Sequence, residues 1–157
     1  MTITKSTRYA LYAAAEMAMA GDALVTVSGV ARRYGIPEGA LAKVFQQLVR
    51  SGLAVGTRGI GGGYRLSRPA NKITVLDVLH VFERSRAVGA CLLHDGPGEQ
   101  CSQASACRLH WLFSEVDELV RNTYESVTLA TLVKRATRSA PVVTPVQIRK
   151  RIAAARR

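Results

Sequence analysis

TVSGVARRYGIPEGALAKVFQQLVRSGLAVGTRGIGGGYRL, residues 26–66, is the stretch that decides the fold. Thr26 begins a short helix running to about Tyr34, and Gly35-Ile36-Pro37 is a tight turn. Pro37 suits the first position of a following helix that ends near Ser51, with Gly52 as its stop. Within it Leu41, Val44, Phe45, Leu48 and Val49 recur at the helical period and are expected in the core. Two helices joined by a short glycine-bearing turn form a helix-turn-helix. Two short strands follow, Leu53–Thr57 and Tyr64–Ser67, joined by Arg58-Gly59-Ile60-Gly61-Gly62-Gly63. The glycines there permit positive φ and close approach to another surface. Helix, helix, hairpin predicts a mainly α fold with one small β-hairpin: a winged helix-turn-helix, in which the helix that follows Pro37, the third of the chain, enters a major groove while the hairpin reaches the adjacent backbone or minor groove.

Working outward, Ser6 or Thr7 is expected to cap a first helix ending at Ala20 before Gly21. Downstream, Thr74 with Asp77 three residues on opens a helix carrying Val75, Val78, Leu79 and Phe82. A polar, turn-forming loop spans Ser85 to Ser105. A long helix from Ala106 to Ser126 then presents Leu109, Leu112, Phe113, Val116, Leu119, Val120 and Tyr124 as one apolar stripe. So small a lobe cannot cover that stripe, so a partner helix and a homodimer are expected. Thr128 caps a last short helix to Ala136. The predicted organisation is 1–72 as the DNA-binding domain, 73–136 as the loop and dimerisation helices, and 137–157 as a basic, disordered tail.

Charge follows this division. The net charge of the 157 residues is +11. Residues 1–72 hold ten Lys/Arg against three Asp/Glu (+7), residues 73–136 six against eight (−2), and residues 137–157 six against none (+6). A basic N-terminal lobe points to a polyanion, here double-stranded DNA. The candidate contacts are Arg32 and Arg33 at the end of the second helix, Lys43 on the outer face of the third, and Arg58, Gly61, Gly62, Tyr64, Arg65 and Arg68 on the wing. Arg58 suits insertion into a narrow minor groove, and Glu38 could accept from a cytosine amino group. The glycine run is not a nucleotide loop, since no Lys-Ser/Thr follows it and it leads into a strand. No apolar run approaches the roughly 18 residues of a membrane span, and no signal peptide is evident, so a cytoplasmic protein is expected, with no membrane partner. No catalytic constellation is present.

The three cysteines, Cys91, Cys101 and Cys107, lie within 17 residues, followed by His110. An odd count of clustered cysteines favours metal ligation or redox chemistry over disulfides. Thiolates select iron–sulfur clusters, zinc or cuprous copper. Nine and five residues separate the cysteines, unlike the close Cys-x-x-Cys pairs of structural zinc sites. Such wide spacing suits an iron–sulfur cluster, with His110 as the favoured fourth ligand. His94 and Asp95 are its rivals, and His80 is a weaker candidate.

The opening Thr4-Lys5-Ser6-Thr7-Arg8-Tyr9-Ala10-Leu11, the wing Arg58-Gly59-Ile60-Gly61-Gly62-Gly63-Tyr64-Arg65-Leu66 and the later Val127-Thr128-Leu129-Ala130-Thr131-Leu132-Val133 resemble the IscR/NsrR family of the Rrf superfamily. These are bacterial dimeric winged-helix regulators, many with an iron–sulfur cluster on three cysteines. The resemblance covers residues 1–136. It implies a transcriptional repressor whose DNA affinity a cluster controls in response to iron–sulfur status, redox state or nitric oxide. Cys107-Arg108-Leu109-His110 matches the step by which the IscR branch holds a [2Fe–2S] cluster on three cysteines and a histidine, which favours [2Fe–2S] over [4Fe–4S]. Members with [4Fe–4S] clusters can use a carboxylate from the partner's first helix, where this chain has Arg8. The family commonly leaves five residues between its first two cysteines. The longer segment here adds His94, Asp95 and Glu99 as rival ligands. A clusterless thiol-based regulator, a zinc-binding regulator and an electron-transfer protein are the alternatives.

Overall fold

The computed structural model describes residues 3–83 and 107–136. Cys91, Cys101, His94, Asp95, Glu99 and the basic tail lie outside the described residues. The elements in order are α1 (Lys5–Ala20), α2 (Val27–Tyr34), α3 (Glu38–Arg50), β1 (Ala54–Thr57), β2 (Gly63–Leu66), a 3-10 turn (Ala70–Lys72), α4 (Val75–Phe82), α5 (Arg108–Ser126) and α6 (Leu129–Ala136). The mainly helical fold with a single two-stranded antiparallel hairpin is a winged helix-turn-helix, as the sequence predicts.

Thr4, not Ser6 or Thr7, caps α1. Its backbone is extended and its hydroxyl accepts the Thr7 amide at 3.3 Å. Thr7 is completely buried, its hydroxyl turned to other partners, and so belongs to the helix itself. Thr26 caps α2 by accepting the Gly29 amide at 3.1 Å. Gly35 then adopts the left-handed conformation (φ 63°, ψ 32°) and returns its N–H to Ala31. This reversal lets α3 start three residues later, at Glu38. Pro37 stands at the cap of α3 rather than in its first turn, with ψ 126°. Thr74 and Asp77 form the reciprocal capping box of α4, at 2.9 and 3.0 Å.

The core runs through α1 (Ala10, Ala13, Met17), α2 (Val30), α3 (Leu41, Val44, Phe45, Leu48), Ile73, Val78 of α4 and Leu129 of α6. Alanines on the inner face of α1 let the neighbouring helices approach closely. Val49 differs from expectation. It is 37% exposed, at the edge of the α3 stripe beside Gly56 of the wing. A bridge in which Val75 donates to Val127 and Leu129 to Ile73, both at 2.8 Å, ties the start of α4 to the α5–α6 junction. Among the described residues no helix is long and apolar enough to cross a membrane.

Candidate nucleic-acid interface

The hairpin is seated by its own backbone. Tyr64 exchanges both amide–carbonyl bonds with Val25 at 2.8 Å, which lays β2 against the entry to α2. β1 pairs β2 with Val55 opposite Arg65 and Gly56 opposite Tyr64. Side chains alternate across the ribbon, so Arg65 and Tyr64 take opposite faces. Arg65 is exposed. The half-buried Tyr64 ring stacks on Phe45 of α3, with centroids 4.5 Å apart and planes at 30°. The recognition helix and the wing are therefore one packing unit, and the Tyr64 ring is engaged inward.

The wing glycines divide by cause. Gly61 has φ 81° and open space around it. At Gly62 a Cβ would stand 2.4 Å from the Thr57 carbonyl oxygen and 2.9 Å from that of Gly59. Close approach there is to the chain's own backbone, where the Gly62 amide donates to Gly59 at 2.9 Å. Ile60 stands wholly exposed at the tip.

Arg32, Glu38, Lys43, Arg58 and Arg65 are all exposed. Among the described residues none of these five forms an ion pair. Arg33 differs. Its guanidinium bonds Glu16 of α1 at 3.1 Å while its side chain stays 61% exposed. The Tyr34 hydroxyl donates to the other Glu16 oxygen at 2.5 Å, and its ring lies 4.5 Å from that of Tyr12. Burial first, and then the Glu16 carboxylate that accepts its hydrogen bond, push the Tyr34 hydroxyl up to about 12. Glu16 thus fixes the end of α2, a role its sequence position does not announce. Arg68, just beyond the wing, meets Asp77 at 3.5 Å.

Cys107 is the cap residue of α5 rather than a residue within it, with φ −82° and ψ 110°. Its side chain makes no capping hydrogen bond, and both it and His110 are half-buried. Cap and third helical position are the pair that a capping box brings together, so these two donors share the N-terminal end of α5. His80, the weaker ligand candidate, lies on the exposed side of α4. Further along α5, Leu109, Trp111, Leu112, Phe113, Val116 and Leu119 are each between 41 and 67% exposed. Trp111 is exposed off that stripe, on the side of the helix that carries Glu115 and Glu118.

A surface of exposed cations on a helix-turn-helix and its wing can neutralise phosphates along a duplex. The chain matches the model of a family described as Rrf2, iron-dependent transcriptional regulator, over residues 3–135. BadM of Rhodopseudomonas palustris is 34% identical over 134 residues, covering 85% of this chain and 82% of the relative. The structure of CymR (YrzC), named the global cysteine regulator of B. subtilis, superposes with a TM-score of 0.69 at 24% identity, over 86% of this chain and 98% of the other. That of T. potens IscR gives 0.67 at 23% identity, over 90% and 94%. These two likenesses concern the fold. The matched family, the identical residues and the winged helix agree: this chain belongs to the Rrf2 family and is a transcriptional regulator with a DNA-binding fold, not an enzyme.

Proposed function

We propose that the chain is a homodimeric repressor whose operator affinity is set by a thiolate site, Cys91, Cys101 and Cys107 with His110 as fourth ligand, holding an iron–sulfur cluster of the [2Fe–2S] type. The observation that carries this is the start of α5. Cys107 and His110, a soft and a borderline donor, stand together there, half-buried and with no capping bond to satisfy the thiol. The donor set fits such a group. When bound, it would supply reversible one-electron chemistry and a ligand set open to oxidants. The iron dependence in the family's description supports the same reading.

DNA contact is assigned to Arg32, Lys43, Arg58 and Arg65 as phosphate or groove cations, with Arg33 held in place by Glu16. Glu38 stands at the exposed start of α3, where base edges are read. Gly61 and Gly62 shape the wing, and Tyr64 supports it from within. The exposed α5 face, which continues away from Cys107, is assigned to the twin helix of a second copy. A dimer puts two recognition helices on a two-fold operator and places each thiolate site beside the interface.

A second reading has support of its own. The nine residues between Cys91 and Cys101 exceed the family's usual spacing, and CymR, of the same fold, is named a cysteine regulator. In that reading the thiols act without metal, by reversible oxidation. Anaerobic purification separates the two. Iron and sulfide with a visible chromophore, lost in Cys107→Ser, support the cluster. A colourless, iron-free protein that still titrates for three thiols supports the second.

A further inference from the structure

α1 begins without an acid. Its first turn holds Lys5 and Arg8, cations placed where the helix dipole is positive. The missing anion comes from a residue distant in sequence, on a helix that packs against α1. Glu83, the residue that ends α4, accepts at Oε1 from the Thr4 amide at 2.9 Å, from the Thr4 hydroxyl at 3.1 Å and from the buried Thr7 hydroxyl. A second bond fastens the same turn. Gln47 of α3 donates its Nε2 to the carbonyl of Val81 at 2.7 Å, one of the end carbonyls a helix leaves without internal partners. Gln47 stands one helical turn from Lys43 on the recognition helix. The last turn of α4 is therefore clasped to both α1 and α3. In sequence it leads directly into the stretch bearing Cys91 and Cys101, and α4 also lies against α5, which Cys107 caps.

We infer that this clasp is the coupling element of the regulator: Glu83 and Gln47 are positioning residues that transmit the state of the cysteine site to the recognition helix. The inference rests on the reading that the cysteine site sets DNA affinity. A ligand state shifts DNA binding through an element that both sites bias; the clasped turn is bonded to α3 through Gln47, and the helix it ends packs against α5, which Cys107 caps.

The test uses the full chain and operator DNA at fixed salt. Affinity is measured for metal-stripped reduced protein, for protein reconstituted anaerobically with ferrous iron and sulfide, and for protein oxidised with diamide. The wild type should change affinity between states by a factor in the 5–150 range usual for coupled sites. In Glu83→Ala and Gln47→Ala that ratio should fall to within about twofold, with iron and thiol content unchanged. Glu83→Gln, which keeps an acceptor, should retain most of it. If Glu83→Ala does not fold, Gln47→Ala, altered at the surface, carries the test. Folded variants that keep the full wild-type ratio overturn the coupling, as does an equal loss of affinity in every state, the mark of a merely structural role. A wild type whose affinity ignores all three treatments overturns the cysteine-site reading itself, and the coupling with it.

Discussion

Tyr64 of the wing lies against Phe45 of α3, ring to ring at 4.5 Å, so the hairpin and the helix are packed on each other. Phe45 is fully buried and Tyr64 half-buried, so the contact also closes the core beneath the hairpin. Tyr64→Ala should cost on the order of 2–3 kcal/mol, less than the roughly 3–5 of a fully buried ring, and should lower operator affinity as the wing loosens. Tyr64→Phe separates support from contact. Stability in denaturant and operator affinity should both stay near wild type. A clear loss of affinity with stability kept would assign the hydroxyl to the DNA.

The exposed cations predict a steep salt dependence. With 6–10 phosphate contacts, affinity should fall on the order of 10³–10⁵ between 50 and 200 mM salt. Arg58→Ala should weaken binding to every sequence alike and reduce the salt slope by about one. Arg33→Ala should change the slope less, since Glu16 already neutralises that guanidinium. Equal slopes for wild type and Arg58→Ala would remove Arg58 from the interface.

The α5 face predicts the assembly. Leu112 and Val116, four residues apart and both over 40% exposed, would be buried between twin helices. Replacing both with Asp should give folded monomers in sedimentation velocity that lose operator specificity while keeping weak, salt-sensitive binding. An intact dimer would place the interface elsewhere.

The clasp predicts an acid-sensitive component of stability. The Thr7 hydroxyl first, then the Thr4 amide, hold the Glu83 carboxyl below its ordinary 4.5. A carboxylate with a depressed folded pKa stabilises the fold above its unfolded value, and that contribution is lost as pH falls through the folded one. The stability gap between wild type and Glu83→Gln should therefore be present at neutral pH and shrink below about pH 4.5. Urea midpoints at neutral and acid pH measure it, and a gap that does not shrink on acidification would contradict it.

Much of this was legible in the chain because the signals are local. Thr26, Gly35 and the 41–48 periodicity fix the helix-turn-helix, Thr74 and Asp77 announce their own capping box, and the glycine run marks the wing. What was not legible joins residues distant in sequence. Thr4 rather than Ser6 or Thr7 caps α1 because Thr7 is drawn inward, toward a carboxylate 76 residues away. Glu16 reads as one face of an alanine-rich helix, yet it secures Arg33 and Tyr34. Tyr64, next to Arg65 on a hairpin, read as a DNA contact, and only the strand register turns its ring to Phe45. The one available hint of the clasp was negative: a first turn with two cations and no acid.

In the proposed regulator the state of the Cys91, Cys101, Cys107 and His110 site sets operator affinity. Fluorescence anisotropy of one labelled operator, at one salt concentration and under anaerobic conditions, tests it most directly. Metal-stripped protein is compared with protein reconstituted with ferrous iron and sulfide. The two forms should differ by about tenfold or more, and Cys107→Ser should bring them together. Identical affinities for the two wild-type forms, with iron and sulfide confirmed in the second, would contradict it.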